Sequence, residues 1–461
     1  MATDGPNVLL VILDSLRARN ASVCGYHRET TPFLERFAQE STTYTQARAA
    51  AARSLPSHAS IFTGYYPQEH GLHTLSKQIS EGESVFAELR EAGYETALFS
   101  DNPYITDLDT GLSDGFDEVY NNRDLFDEGI SPSAFVEEAG LDYRGFASEV
   151  LKSGSPVKSA LNGLAWTLKW RSTGLLPERS VFTRGFTYAE QFNEWRRRRG
   201  DRTWAACINL MDTHVPFRPA PEYDNWQTSE SRSVRRKADL ESVDETETWK
   251  HALEMNAYDG TIRQADAVVE SIVRGLKEDG ELDETHVIVT SDHGEGFGER
   301  SLFDGRQVLG HGGSVDEQVL HVPLLVRRPG QENSDTVSDP VSLAEVPDEI
   351  RSVVGGADDD DRSGGFGTRG EAIAGARIGD EEVDVLYRTG DASVKKYVLS
   401  TETAYTERVH TVKTSHRCSE EVPPSARERL KALGDASITV EGSEEVTEDA
   451  RKQLTALGYT E

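Results

Sequence analysis

Asp14, Asp292 and His293 carry hard oxygen and imidazole donors at the ends of apolar runs, where side chains can do chemistry. Such a set suits one divalent cation, Ca2+, Mg2+ or Mn2+, with zinc disfavoured for want of further His or Cys. The plainer alternative is that Asp14 and Asp292 cap the helices that follow them. Ser54 lies in Arg53-Ser54-Leu55-Pro56-Ser57-His58, at the head of a segment of helical character closed by Gly64. A hydroxyl at a helix N-terminus is backed by backbone N–H groups that favour an oxyanion and an anionic substrate, which makes Ser54 the candidate nucleophile. His311 and His214 are candidate catalytic groups acting on the leaving oxygen or the substrate anion, since imidazole is the side chain most easily poised near neutral pH. Arg17 and Asn102 fall near the same place by strand order and are candidate substrate contacts, with helix-surface and turn-forming roles as the alternatives. His58 is a third candidate substrate contact, with turn formation as its alternative. His70 is read as closing a turn and His321 as structural.

These residues are far apart in sequence, so the fold must gather them. Asn7 to Leu13 is a continuous apolar run of the kind that forms a strand buried on both faces of a parallel sheet. Thr96–Ser100, Trp204–Leu210, His286–Thr290 and Val322–Val326 have the same character, and helical patterns at Thr31–Glu40, Ser84–Ala92 and Tyr258–Leu276 lie between them. Strands alternating with helices predict an α/β fold with a large, mostly parallel sheet flanked by helices. Asp14, Asp101-Asn102, Asp212-Thr213-His214 and Asp292-His293 each follow a strand, and ligands in open α/β sheets sit beyond the carboxyl ends of strands. The expected organisation is a catalytic α/β domain over residues 1–340, with a helix-rich insertion at about 128–200, and a smaller C-terminal α+β subdomain over 341–461. The insertion contains Trp166, Trp170 and Arg196 to Arg199, the arginines read as a solvated helix face. Thr228–Thr248 reads as a mobile surface loop and Gly355–Gly370 as a linker. Strands are expected at Ala372–Ile378, Val383–Arg388 and Val394–Leu399, and helices at Pro424–Leu433 and Thr447–Leu457.

The segment from Ser54 to Gly64 resembles the active-site signature of the sulfatase family, a branch of the alkaline phosphatase superfamily. The resemblance extends over most of the first ~340 residues. It includes the strand ending in Asp14, Arg28-Glu29-Thr30-Thr31-Pro32, Tyr66-Pro67 with His70-Gly71, Ser291-Asp292-His293-Gly294-Glu295, and Gly310-His311-Gly312-Gly313 leading to Val322-Pro323. It implies an alkaline-phosphatase-like fold and one metal ion held by Asp14, Ser54, Asp292 and His293. His214 and His311 would contact the ester or its leaving group. The implied activity is hydrolysis of a sulfate ester on a small molecule or glycan, with Ser54 oxidised to formylglycine by a maturase. This sequence has His58 where the modification signature has Arg, which would make His58 an anion contact in its place. It also has Ser15 where many sulfatases carry a second metal-binding Asp. Related branches use an unmodified Ser or Thr against phosphate esters, so a phosphodiester or phosphonate hydrolase, or a phosphoglycerol-type transferase, is the alternative on the same scaffold. A non-catalytic protein binding sulfated or phosphorylated glycans is the alternative from another class.

Composition narrows the classes further. The 461 residues include 80 acidic and 49 basic ones, a net charge of −31, which repels nucleic acid and anionic lipid. Acidic residues spread along the chain suggest a salt-adapted, haloarchaeal-like member of its family. Cys24, Cys207 and Cys418 are odd in number and show no ligand spacing, so neither a disulfide framework nor a zinc site is expected. No run approaches the ~20 apolar residues of a membrane span, and Met1 to Gly5 lacks a cleavable leader pattern, so a cytoplasmic location is expected. Gly294, Gly296 and Gly298 follow Asp-His rather than a strand and are discounted as a dinucleotide loop. The absence of a Gly-x-Ser-x-Gly elbow argues against an ordinary esterase.

Overall fold

The computed structural model describes residues 5–121, 129–130, 143–171, 184–237, 248–355, 365–367, 369–391, 393–412, 414–435 and 440–442. Its main sheet contains β1 (Asn7–Leu13), β2 (Thr42–Tyr44), β3 (Glu95–Ser100), β4 (Glu118–Tyr120), β5 (Trp204–Leu210), β6 (Thr285–Thr290), β7 (Leu324–Arg327) and β8 (Asp335–Val337). Their spatial order is β8-β2-β7-β6-β1-β5-β3-β4. β1 is central, and its side chains alternate between two cores: Val8, Leu10 and Ile12 enter one, Leu9, Val11 and Leu13 the other. Burial on both faces is why the run is apolar at every position from Val8 to Leu13.

Helices cover both faces, as the sequence pattern predicts. On the Leu10 side lie α2 (Ser54–Thr63), α3 (Val85–Glu91) and α7 (Val346–Val354). On the Leu9 side lie α1 (Pro32–Phe37), α4 (Arg184–Arg197) and the long α5 (Thr248–Glu278). All ten residues of α2 are buried, and Ile61 and Phe62 alone contribute roughly 1.5–3 kcal/mol each by leaving water. Asp266 on α5 accepts from the Phe33 and Leu34 amides (2.8 and 2.9 Å), supplying α1 with acceptors for its free N–H groups from a distant helix.

Strands β6, β1, β5, β3 and β4 run parallel and end at one edge. β7 is a correction to the parallel pattern: it is antiparallel to β6 and β2. The chain arrives through the short helix α6 (Glu317–Leu320), whose Val319 carbonyl accepts from the Gly294 amide beyond the end of β6. It therefore enters the sheet from the carboxyl edge and runs back, pairing Leu324 with Thr290.

Of the four arginines read as a solvated face, Arg197 and Arg198 are exposed, but Arg196 and Arg199 are not part of such a face. Arg196 is buried and pairs with Asp279 (2.5 Å) and Glu281 (2.8 Å), and Arg199 pairs with Glu95 and Glu118, so the last turn of α4 is clamped to the end of α5 and to β3 and β4. Ser229–Lys237 is helical within the segment read as a loop. Gly365–Gly367 is docked within the segment read as a linker, with Phe366 packed on Tyr44 at 5.3 Å between ring centres. Thr447–Leu457 and the side chains of Trp166 and Trp170 lie outside the described residues.

A separate antiparallel sheet follows, with β9 (Glu371–Ile378), β10 (Glu381–Thr389), β11 (Val394–Leu399), β12 (Ala404–Thr411) and β13 (Thr414–Cys418) in sequential order. By sequence, residues 341–355 belong to this smaller unit. In the structure Val341–Ser342 pairs with Ala47–Arg48 and α7 shares the core of α2.

Candidate active site

The register of the parallel strands sets the site. Ile12 lies beside Asn209 and Thr290, and Asn209 beside Ser100, so the residues just past these positions meet at one edge. Asp14, Asp292 and His293 are all buried there, with ligand atoms within 4.8 Å of one another. Ser54, the first residue of α2, places its Oγ 3.1 Å from His293 Nε2.

Each carboxylate is held by donors that fix its orientation. Asp14 accepts from Ser15 Oγ (3.0 Å) on one oxygen and from the side-chain amides of Asn102 (3.0 Å) and Asn209 (3.4 Å) on the other. Asp292 Oδ1 accepts from the amides of Ser15 (3.0 Å) and His293 (2.9 Å). Ser15 has φ 65°, a left-handed conformation unusual for a non-glycine residue, and it aims an N–H at one carboxylate while its hydroxyl serves the other. Asp292 Oδ2 is buried without a hydrogen-bond partner, 3.3 Å from His293 Nε2.

His293 Nδ1 donates to the Gly294 carbonyl oxygen (2.9 Å), so its Nε2 keeps the lone pair that faces Ser54 and the carboxylates. Burial alone would lower its pKa, but the charges of Asp292 and Asp14 carry it above the ordinary value. Burial would likewise raise Asp14, yet the neighbouring His214, His293, His58 and His311 hold it below its usual range. Two buried carboxylates, one with an orphaned oxygen, and an imidazole lone pair fit a divalent cation. Charges desolvated to this degree are costly unless compensated, and a bound cation would supply that compensation.

Around this centre His311 packs against His293 with tilted rings (4.4 Å between ring centres) and lies 5.4 Å from His214. His311 Nδ1 is 3.3 Å from Glu295 Oε2. Burial pushes Glu295 up to about 7, whereas burial and the neighbouring His293 and His214 lower His311 well below the usual histidine range. His214 Nδ1 donates to the Val215 carbonyl oxygen (2.8 Å).

The substrate candidates are placed differently. His58 lies in the cluster, with Nδ1 donating to the Ser54 carbonyl oxygen (2.8 Å), Nε2 3.3 Å from Asn209 Oδ1 and Nδ1 3.6 Å from Asp292 Oδ2. Asn102 reaches Asp14 while its own oxygen caps the turn at Tyr104 (3.1 Å). The Arg17 guanidinium is turned to Asn20, the Glu295 carbonyl oxygen and Glu299 (2.6 Å), and stacks on Phe297, bracing the loop that carries Glu295. Three contributors are absent from the sequence assignment: Asn209, Ser15 as a positioning group, and Glu295. Asn209 had a signal, as the polar residue in the otherwise apolar β5. His70 and His321 are buried in structural bonds, to Ser60 Oγ (3.1 Å) and the Thr45 carbonyl oxygen (3.0 Å).

Comparison with known proteins gives this arrangement a context. A family model described as Sulfatase matches residues 6–356. The chain is 23% identical over 386 residues to an N-acetylglucosamine-6-O-sulfatase of Bacteroides thetaiotaomicron, covering 74% of this chain and 66% of that one. It is 25% identical over 348 residues to an arylsulfatase of Clostridium perfringens, covering 70% and 69%. The match thus spans about two thirds of the length of these curated relatives. Among solved structures, the fold resembles a phosphonate monoester hydrolase of Agrobacterium radiobacter (TM-score 0.62, 18% identity, 96% of this chain and 98% of that one). It equally resembles a protein solved in complex with its substrate D-glucosamine-2-N,6-O-disulfate (TM-score 0.62, 14% identity, 99% and 98%). With the family match running from β1 through α7, and so across every residue of the buried cluster, the chain belongs to the sulfatase family.

Proposed function

We propose that this chain hydrolyses sulfate monoesters with Ser54, or formylglycine made from it, as nucleophile and one divalent cation bound by Asp14, Asp292 and His293. The observation that carries the reading is Ser54 Oγ at 3.1 Å from His293 Nε2, at the head of α2 and beside the orphaned oxygen of Asp292. A bound Ca2+, Mg2+ or Mn2+ would polarise the sulfate oxygens and lower the pKa of the attacking hydroxyl. The amides at the N-terminus of α2 add partial positive charge where the anion sits. Ser15, Asn102 and Asn209 hold the carboxylates in place. His311, held neutral by burial, can offer an Nε2–H hydrogen bond to the leaving oxygen when Nδ1 accepts from the Glu295 carboxyl group, with His214 beside it as the second candidate.

A sulfate ester fits the named activities of the curated relatives. The phosphonate monoester hydrolase fold supports phosphate or phosphonate esters as the second reading, with an unmodified Ser54. His58, standing where the modification signature has Arg, favours that unmodified state. The mass of the tryptic peptide from Ser54 to Lys77, from protein made in its native host, separates the two forms. Loss of two hydrogens in active protein means formylglycine, supplied by a maturase; an intact serine in active protein means direct attack by the hydroxyl. Higher turnover of phosphonate esters than of sulfate esters would replace the main reading with the second.

The same reading extends to the setting. The described residues include no helix long and apolar enough to cross a membrane. Free Cys24, Cys207 and Cys418 suit a reducing cytoplasm, and the net charge of −31 suits concentrated salt, which screens its self-repulsion.

A further inference from the structure

Arg53 immediately precedes the nucleophile and is the N-cap of α2, half-buried, with extended backbone (φ −139°, ψ 152°). Its side chain lies across Gly312, next to His311. A Cβ on Gly312 would stand 2.7 Å from Arg53 Cγ and 3.0 Å from Cδ, and closer still to Nε. Gly312 also has φ +93°, so both its backbone and its missing side chain make room for Arg53. The arginine stem is thus held between the helix that carries Ser54 and the loop that carries His311.

Among the described residues the Arg53 guanidinium has neither a hydrogen bond nor an ion pair. Other arginines near the cores behave differently: Arg17, Arg48 and Arg196 each meet a carboxylate within 3 Å. An arginine positioned beside the nucleophile and matched by no carboxylate among the described residues points to a ligand as its counter-charge. Two further cations act on the same histidine as Arg53 does. Burial, together with Arg377, Lys77 and Arg53, holds His73 below its ordinary range, with Glu382 as the carboxylate acting the other way. Lys77 Nζ stands 2.9 Å from where a Cβ on Gly71 would be, two residues before His73, and both Lys77 and Arg377 are exposed. A planar guanidinium pairs two-pronged with sulfate or carboxylate, and flanking lysine and arginine supply longer-range attraction.

We propose that Arg53, supported by Lys77 and Arg377, forms a subsite for a second anionic group on the leaving-group portion of the substrate, so that the enzyme selects sulfate esters bearing a further sulfate or carboxylate. This deepens the hydrolase reading above and rests on it. The subsite lies beside Ser54, on a half-buried arginine of a protein whose net charge otherwise repels anions, so it steers polyanionic substrates as well as holding them.

The test is calorimetric binding of benzenesulfonate, benzene-1,3-disulfonate and 3-sulfobenzoate to the full chain at one fixed salt concentration. Wild type should bind at least one of the dianions about tenfold or more tightly than benzenesulfonate, and which dianion gains tells sulfate from carboxylate. Arg53→Met keeps the stem over Gly312 but removes the charge. It should bring mono- and dianion within about threefold, with benzenesulfonate affinity changed less than about threefold. Arg377→Gln, at an exposed position, should cost roughly threefold on the dianion alone. Equal or undetectable binding of all three by wild type, or an equal loss on all three in Arg53→Met, would overturn the subsite. Absence of turnover of any sulfate monoester would overturn the hydrolase reading without altering these affinity ratios.

Discussion

Asp292 divides its two oxygens between two tasks. Oδ1 is locked by the amides of Ser15 and His293, and Oδ2 is left buried without a donor beside His293 Nε2. That asymmetry separates a cation site from a helix cap, in which backbone N–H groups take up the free oxygen. In wild-type protein, a divalent cation at a hundred times its Kd should add about 2.7 kcal/mol of stability, read as a rise in Tm. Asp292→Asn should fold, show no such rise, and lose turnover by ~10³-fold or more. A cation-induced rise of wild-type size in the variant would place the ion elsewhere. At this scale the sequence was informative where a residue type is diagnostic and sits at a strand end, as for Asp14, Ser54, Asp292 and His293. It was uninformative where the role depends on backbone conformation or register. Ser15 matters through its φ of 65°, and Asn209 through its place two strands from Asp292, neither of which a linear string displays.

The strands of the main sheet were legible as elements because double burial demands unbroken apolar runs, and β1 and β5 have the expected limits. Strand direction was not legible. β7 has the composition of the parallel strands, and only the position of α6 at the carboxyl edge turns it around. The ties between the smaller sheet and the catalytic body were likewise hidden, since they consist of charged residues that by composition belong on a surface. Lys396 on β11 is buried, donates to the Val315 carbonyl oxygen (2.7 Å) and pairs with Glu317 (3.3 Å) and Glu407 (3.5 Å). Glu317 also meets Arg48 (2.9 Å) and the Tyr387 hydroxyl (2.9 Å). Burial would raise Glu317, but Arg48 and Lys396 hold it down at about 2. Through Glu317 and α6 this network reaches Gly294, next to His293. Lys396→Met leaves two carboxylates buried and under-compensated, and should cost about 3–5 kcal/mol in denaturant unfolding. A loss below about 1 kcal/mol would show that the network does not join the two units energetically.

At the scale of the molecule, buried titratable groups give stability a pH dependence with opposing parts. His70, His286 and His321 are held at about 3, chiefly by burial, against an ordinary 6.5. They are neutral in the fold but protonate in the unfolded chain below pH 6.5, so unfolding takes up protons and stability falls as pH drops toward 3. Asp266 and Glu345, which burial pushes up to about 7, act in the other sense. Their contribution is complete below their ordinary values of 3.8 and 4.5 and is lost as pH rises through 7. His286 on β6, 3.5 Å from Glu349, isolates one term. In His286→Leu the plot of unfolding free energy against pH should be shallower between 6.5 and 3 by roughly 1.4 kcal/mol per pH unit. An unchanged slope would mean that His286 is already protonated in the fold. The fold's larger task is to bring residue 54, at a helix start, to residues 14 and 293 at strand ends, and that convergence is the central claim. Its most direct test is the kcat of Ser54→Ala on 4-nitrophenyl sulfate with divalent cation present. The expected result is a loss of ~10⁴-fold or more with unchanged circular dichroism, whereas a rate within about tenfold of wild type would place the nucleophile elsewhere.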